Sequence, residues 1–178
     1  KVIGISLKDR GAILPVGYSA DAAYWLSSME GKFVTSSYYK NELPAWIINF
    51  NKEQRVEAYL SSPWNTLYPI ESYIASSSDN ASFEGKFEGE VQSIFPHHLP
   101  ILKKEAGLGL VKKTPFGNSL LADFATATIT NERLGVDDYT DVISISFSST
   151  DYIGHMYGPQ SIEIEDTYLR LDKEIERL

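Results

Sequence analysis

Apolar residues recur along this chain with the periods of strands and helices. Val2–Leu7 is a short apolar run, which indicates a buried strand. Asp141–Ser148 alternates apolar, often β-branched, residues with polar ones, which is the strongest strand pattern in the chain. The same patterns predict three more elements: a short helix over Ala20–Ser28, a β-rich run over Phe33–Tyr39 and a helix over Leu43–Leu60.

The helical period returns in the last third of the chain. Asn118 or Ser119 can cap a helix that runs to Leu134, and Gly135 is a suitable stop. Gly158–Ser161 then opens a last helix, whose acidic start and basic end suit the helix dipole. An apolar stripe runs along this last helix at spacings of four and three: Ile164, Tyr168, Leu171, Ile175 and Leu178.

The middle of the chain has a different character. Ser61–His98 is rich in Ser, Tyr and Pro and lacks a helical period, and Phe83–Glu90 suggests a turn between short strands. We therefore divide the chain into a first α/β part (1–60), an inserted segment (61–113) that is either lid-like or merely structural, and a second α/β part (114–178). Strands that alternate with helices predict an α/β fold with a parallel or mixed sheet covered on both faces.

Composition narrows the classes of function. The 178 residues suffice for one domain, and a formal net charge of −8 without a basic stripe argues against a nucleic-acid partner. The absence of Cys excludes disulfides, thiolate metal sites and Cys nucleophiles. No apolar run is long enough to cross a bilayer. Because Lys1 leads directly into a strand and the last helix has no stop signal, we expect an excised piece of a longer protein.

Asp151 and His155 follow the Asp141–Ser148 strand, four residues apart. Four residues make one helical turn, so both side chains can face one ion, and a carboxylate and a neutral imidazole are ordinary zinc ligands. A protein zinc site needs at least a third ligand, which must come from elsewhere. The alternative is a capping Asp beside an unrelated His.

Lys8 and Arg10 follow the Val2–Leu7 strand within a predicted loop, Lys8–Gly11. If both strands belong to one parallel sheet, these cations and the Asp–His pair emerge at the same edge, where open α/β sheets bind ligands. A metal site facing two cations suits an anionic oxygen ligand, with phosphate the leading candidate. The alternative is that both cations belong to solvated surface.

Other candidate groups have weaker support. His97-His98 lies between Pro96 and Pro100 without an acidic partner in close register, so we expect a structural role there and not a second metal site. Thr35 and Thr150 lack a sequence context that identifies an activating base.

The residues quoted so far, together with their neighbours, resemble the alkaline phosphatase superfamily. The nearest likeness is to bacterial zinc phosphomonoesterases of the phosphate-irrepressible type, which are related to type I phosphodiesterase/nucleotide pyrophosphatases. The blocks that carry the resemblance are spread from end to end: Gly4–Ala12, Ala22–Trp25, Leu43–Trp46, Thr114–Leu121, Ser149–His155, Gly158-Pro159 and Tyr168–Asp172.

The resemblance implies a fragment of an α/β/α sandwich with a mostly parallel sheet and an inserted lid-like subdomain. Asp151 and His155 resemble two ligands of one of two zinc ions, and Lys8 and Arg10 resemble the pair that contacts the transferred phosphoryl group. The family's nucleophilic Thr and remaining ligands find no counterpart here, so the resemblance implies no catalytic residue in this fragment.

We therefore expect the intact parent to hydrolyse phosphate monoesters of small molecules through a phosphoenzyme, and the isolated chain to be inactive. The resemblance also implies a periplasmic or secreted location. Two alternatives stay open: a phosphodiesterase or nucleotide pyrophosphatase fragment, and a non-catalytic binding domain. The binding-domain alternative predicts that Lys8 and Arg10 point away from Asp151.

Overall fold

The computed structural model describes residues 1–178, the whole chain. It contains one four-stranded sheet with the order β3-β2-β1-β4. The strands are β1 (Val2–Ser6), β2 (Ala22–Ser27), β3 (Lys32–Val34) and β4 (Val142–Ser146). Strand β1 pairs in parallel with β2 and β4, and β3 pairs antiparallel with β2 at one edge. The sheet is therefore mixed but mostly parallel, as the sequence predicts.

Seven α-helices and two 3₁₀ turns accompany the sheet. The helices are α1 (Asp9–Ile13), α2 (Ala45–Lys52), α3 (Arg55–Tyr59), α4 (Leu99–Ala106), α5 (Phe116–Asn131), α6 (Ser149–Tyr157) and α7 (Ile162–Glu176). The 3₁₀ turns are Ile70–Ser72 and Leu108–Lys113. None of these helices combines the length and the hydrophobicity that a membrane crossing demands.

Helices cover the sheet on both faces. On one face, α1 approaches β1 so closely that a Cβ on Gly4 would lie 1.9 Å from the carbonyl oxygen of Ala12. On the other face, Ile3, Ile5 and Leu7 join the buried core with Phe124 of α5. Burying the apolar faces of both layers supplies most of the driving force for this arrangement. The predicted α/β fold, with a sheet covered on both sides, is confirmed.

The predicted helix over Ala20–Ser28 is wrong, because this stretch forms β2. Ala22, Ala23, Tyr24 and Leu26 are all buried, so residues on both faces of the strand are covered. A parallel strand covered on both faces reads as a continuous apolar run, which a short sequence window does not separate from a buried helix. Pairing with β1 outweighs the helix propensity of Ala and Leu.

The helix predicted over Leu43–Leu60 is in fact two helices. Gln54 adopts a left-handed conformation (φ 51°), which ends α2 and lets α3 start in a new direction. On α2, the side-chain amide of Asn51 accepts a hydrogen bond from the Phe33 amide (2.8 Å) and donates one to the Phe33 carbonyl (2.9 Å). The Asn51 side chain thus satisfies backbone groups of β3, the edge strand.

Four other predicted elements need correction. The predicted loop Lys8–Gly11 instead opens α1, the β-rich run over Phe33–Tyr39 forms a strand only to Val34, and Phe83–Glu90 contains no strand. The helix predicted from Asn118 or Ser119 starts earlier, at Phe116.

The predicted apolar stripe of α7 is only partly buried. Tyr168 and Ile175 are 58% and 56% exposed, whereas Glu163, Asp166 and Thr167 are fully buried. Polar partners on the segment 61–98 explain the burial of Glu163 and Asp166, whereas the Thr167 hydroxyl donates to the Glu163 carbonyl within α7. Asp166 accepts hydrogen bonds from the Trp64 indole and the Tyr73 hydroxyl, and forms an ion pair with Arg170. The segment 61–98 therefore docks on α7 through a buried polar network, which satisfies groups that burial would otherwise penalise.

Candidate phosphate and metal site

The carboxyl ends of β1 and β4 are joined by serine hydroxyls. The Ser6 and Ser148 hydroxyl oxygens lie 3.0 Å apart, and the Ser6 hydroxyl donates to the Ser146 carbonyl at 3.1 Å. The backbone amide of Lys8 donates to the same Ser6 hydroxyl at 3.1 Å. The two strand ends that precede Lys8 and Asp151 are thereby fixed to each other.

Helix α1 is held against this edge of the sheet by a second glycine. A Cβ on Gly11 would lie 2.6 Å from the Ser6 hydroxyl oxygen and 3.1 Å from that of Ser146. Only a residue without a side chain allows the first turn of α1 to lie directly on the strand ends. The packing sets the position of Lys8, which is the N-cap of α1.

Asp151 and His155 lie one turn apart on α6, as their spacing predicts. Asp151 Oδ1 is 3.2 Å from His155 Nε2, and Asp151 Oδ2 accepts a hydrogen bond and ion pair from the Lys8 ammonium. Both side chains are accessible, at 51% for Asp151 and 82% for His155. The hydrogen bond from Lys8 holds the pKa of the Asp151 carboxyl below its ordinary value.

Lys8 is the centre of this arrangement. Its side chain is only 15% exposed, and the ammonium lies 4.2 Å from the centre of the Tyr152 ring. Aromatic contact and the Asp151 carboxylate both stabilise the charged ammonium at this position. Arg10, two residues further on, is exposed, and its guanidinium forms no ion pair within the chain. The structure therefore brings Lys8, Asp151 and His155 together and leaves Arg10 free at the same end of α1.

The Asp151–His155 pair fits one side of a zinc ion. Two ligands about 2.0–2.1 Å from a tetrahedral ion lie about 3.3 Å apart, close to the observed 3.2 Å between Oδ1 and Nε2. The donor types, one carboxylate oxygen and one imidazole nitrogen, are also those that zinc accepts. No group of three or more His, Asp or Glu side chains in the chain is arranged to hold a metal ion, so the pair by itself is an incomplete site.

Two buried residues near the site were not anticipated from the sequence. The Asn118 carboxamide oxygen, at the start of α5, accepts a hydrogen bond from the Ser149 amide, the first in α6, at 3.3 Å. Lys112 is buried, and its ammonium donates to the Leu26 carbonyl at the end of β2 (3.0 Å). Burial lowers the pKa of Lys112, with Asp9 and Lys8 as its charged neighbours. The sequence singles out Asn118 only as a possible helix cap and as part of the Thr114–Leu121 block, and neither signal indicates its contact with α6.

His97 has acidic partners that are distant in the sequence, although none lies in close register with it. His97 is fully buried between Glu90 and Glu163, and the partner on α7 is 66 positions further along the chain. Only the fold reveals this proximity. The adjacent His98 is exposed and precedes α4.

The fold and the site together define a class of protein: an α/β sandwich with an Asp–His pair and a lysine at the carboxyl edge of its sheet. A family model described as type I phosphodiesterase / nucleotide pyrophosphatase matches residues 2–178. The chain belongs to this family, within the alkaline phosphatase superfamily.

Individual relatives agree with this assignment of the family. The chain is 52% identical over 177 residues to a protein of Myroides odoratus named "Calcium-transporting ATPase", and 46% identical over 175 residues to the alkaline phosphatase PafA of Elizabethkingia meningoseptica. These matches cover 98% of the chain and 32% of each relative. The crystal structure of wild-type PafA superimposes with a TM-score of 0.96 at 45% identity, over 99% of this chain and 34% of that one. The chain thus spans about a third of the length of the relatives it matches.

Proposed function

We propose that this chain forms the phosphate-facing part of a zinc-dependent hydrolase of small-molecule phosphate monoesters. The observation that carries the proposal is the contact of the Lys8 ammonium with the Asp151 carboxylate beside His155. A non-catalytic binding domain predicts that Lys8 and Arg10 point apart and away from Asp151. The Lys8 contact argues against that alternative, whereas Arg10 forms no ion pair with Asp151. Homology to an alkaline phosphatase supports the reaction class.

In this proposal Asp151 and His155 hold one side of a zinc ion, which supplies Lewis-acid stabilisation of phosphoryl oxygens when bound. Lys8 exchanges its Asp151 partner for a phosphoryl oxygen, and Arg10 offers its free guanidinium to a second oxygen. These cations stabilise charge on the non-bridging oxygens during transfer. The phosphoenzyme that we propose forms on a nucleophile that is not among the residues gathered at this site.

The proposal makes different predictions for the activity of the isolated chain and of a longer protein that contains it. Because the chain holds two metal ligands at this site and no third, we expect no turnover of a chromogenic phosphomonoester by the 178-residue chain with added zinc. The measurement is release of the chromophore against a no-protein blank. Robust turnover by the purified chain would contradict the expectation that the isolated chain is inactive.

A longer protein that carries this segment tests the role of Lys8. We expect Lys8→Ala to reduce kcat/KM for a phosphomonoester by about 10²-fold or more, because it removes a charge aimed at the transferred group. Lys113→Ala, in the 3₁₀ turn Leu108–Lys113, serves as a charge-matched control and should leave kcat/KM within about twofold. Equal activity of the Lys8 variant and the control would contradict the proposal.

A phosphodiesterase is the second candidate, because the description of the matching family model names diesterases and pyrophosphatases. Two cations suit the additional negative charge of a monoester, which is why we favour monoesters. Comparing kcat/KM for matched aryl mono- and diesters on the longer protein separates the two. A periplasmic or secreted location belongs to the same proposal and rests on the resemblance alone; cell fractionation tests it.

A further inference from the structure

A buried histidine joins the segment 76–98 to helix α7. His97 Nδ1 lies 2.8 Å from Glu90 Oε1, and His97 Nε2 lies 3.3 Å from Glu163 Oε1. The His97 and Glu163 side chains are completely buried, and Glu90 is nearly so. The Trp64 and Phe95 rings pack around the imidazole, with ring centres 5.0 and 4.8 Å away. We call Glu90, His97 and Glu163 the His97 latch.

The geometry of the His97 latch favours an imidazolium. His97 Nδ1 is hydrogen-bonded to Glu90, whereas Nε2 lies at ion-pair distance from Glu163 without forming a hydrogen bond. An ionised carboxylate oxygen only accepts hydrogen bonds, so a proton on each ring nitrogen suits both contacts. The other contacts of the two carboxylates point the same way: Glu90 Oε2 accepts from the Phe87 amide (3.0 Å), and Glu163 Oε1 accepts from the Ser93 hydroxyl (3.2 Å). A neutral ring would place a lone pair against one of the two buried carboxylates, which is strongly unfavourable in a dry interior.

The His97 latch holds a segment that lies directly on the end of α6. The Gly85 amide donates to the Met156 carbonyl (2.7 Å), next to His155 in the chain. The Ser77 amide donates to the Gln160 carbonyl (2.7 Å), and the Ser76 hydroxyl donates to the Ser161 carbonyl (3.0 Å). These contacts place the segment 76–98 over the junction between α6 and α7. Its attachment therefore bears on the helix that carries Asp151 and His155.

We propose that the His97 latch is a pH-sensitive device: it is closed while both ring nitrogens are protonated and opens at alkaline pH, releasing the segment 76–98 from the α6–α7 junction. The device operates in this chain by itself and does not depend on the catalytic role proposed above.

The charged groups around the latch all favour opening as pH rises. Burial opposes protonation of His97, but the Glu163 and Glu90 carboxylates outweigh it and raise its pKa from 6.5 to about 9. The stability from His97 is therefore complete below about pH 6.5 and is lost as pH rises through about 9. In the same segment, burial raises the pKa of Glu84 to about 7 and also raises that of Asp79. Ionisation of these carboxyls as pH rises therefore also weakens the closed state, but before His97 loses its proton. Tyr157 of α6 also faces the latch, and burial raises its pKa, which keeps its hydroxyl neutral.

Limited proteolysis of the 178-residue chain between pH 8 and pH 10 tests the proposal above the Glu84 transition. The measured quantity is the rate of subtilisin cleavage within residues 76–98, divided by the rate for a free peptide at the same pH. We expect this ratio to rise about tenfold from pH 8 to pH 10, the change that a pKa of about 9 gives over this range. A flat ratio in the parent chain would overturn the proposal.

Two variants separate the latch from general loosening. In Glu90→Gln, the amide oxygen can accept from Phe87 and the amide nitrogen can donate to a neutral ring, so the closed state no longer needs the second proton. We expect the ratio for E90Q to change less than threefold over the same range; a tenfold rise in E90Q would overturn the proposal. His98→Gln, which alters the adjacent exposed histidine, is the matched control and should keep the tenfold rise of the parent.

An NMR titration of the histidine rings gives an independent readout. The chain has three histidines, so the His97 signals can be assigned by comparison with the His97→Gln and His98→Gln variants. We expect the His97 ring to be doubly protonated at pH 7.5 and to lose a proton near pH 9 in step with the proteolysis. A singly protonated His97 ring at pH 7.5 would contradict the geometry on which the latch rests.

Discussion

Two polar regions of this molecule differ in how much water reaches them. At the edge of the sheet, Asp151 and His155 are half to largely exposed and share few contacts within the chain. Between the segment 61–98 and α7, Asp166 and Glu163 are fully buried, and each accepts hydrogen bonds from that segment. Exposed charges cost little to keep unpaired and can exchange partners, whereas buried charges must keep theirs. The first region is therefore suited to binding a ligand and the second to holding the fold.

The largest effect is expected from removing the buried carboxylate of Asp166. Asp166 accepts hydrogen bonds from the Trp64 indole, the Tyr73 hydroxyl, the Leu67 amide and Arg170. Asp166→Ala leaves a partly buried guanidinium and several donors without an acceptor, so we expect the free energy of unfolding to fall by about 3–5 kcal/mol. Urea denaturation followed by circular dichroism measures the change.

Asp151→Ala is the matched control, since it removes a carboxylate of the same kind that also contacts a cation. Because Asp151 is half exposed, the expected loss is less than about 1 kcal/mol. Similar losses in the two variants would show that burial does not separate the two regions.

A smaller effect is expected from the glycines that set the backbone beneath the site. In Gly4→Ala, the new methyl group would lie 1.9 Å from the Ala12 carbonyl oxygen, so α1 must move off β1. We expect a loss of about 1–3 kcal/mol, the usual cost of overpacking a buried site. Thermal unfolding measured alongside the parent chain provides the comparison.

Gly154→Ala tests the same substitution on α6, between Asp151 and His155. The nearest atom to its new methyl group would be Ile164 Cδ1 at 3.7 Å, an ordinary contact. Since alanine favours helix over glycine, this variant should be more stable by up to about 1 kcal/mol. A destabilised Gly154→Ala protein would contradict this expectation and would indicate that α6 is not a regular helix at residue 154.

The sequence reveals these two regions unequally. Asp151 and His155 are separated by one helical turn, so a local pattern predicts that they face each other, and the strand before them is recognisable by its alternation. The contact of Lys8 with Asp151 spans 143 positions, but parallel pairing of two recognisable strands suffices to predict that they share an edge.

The buried network has no comparable signal in the sequence. Trp64 and Asp166 are 102 positions apart, and Trp64 lies in a segment without helical or strand period. The apolar stripe predicted for α7 differs from the buried face for the same reason, because that face carries Glu163 and Asp166 and not only apolar residues. Strand β2 was missed because an apolar run covered on both faces has no alternation. Local periodicity thus predicts helices and strands that pack through one apolar face. It fails where polar contacts between distant residues determine which face is buried.

The smallest effect is expected at the exposed site, where Lys8 pairs with Asp151. The Lys8 ammonium lowers the pKa of Asp151, so this pair contributes stability above the ordinary carboxyl pKa of 3.8 that is lost as pH falls through the lowered value. In Lys8→Met this contribution disappears, and we expect the variant to lose less than about 1 kcal/mol at pH 7, since Asp151 is half exposed and water screens the pair. The two proteins should converge in stability as pH falls below the lowered pKa of Asp151, because the carboxylate that pairs with Lys8 is then protonated. Urea midpoints measured from pH 7 down to the most acidic pH at which both proteins fold test this; a difference that stays constant over this range would show that Lys8 acts through its packing on Tyr152 and not through its pairing with Asp151.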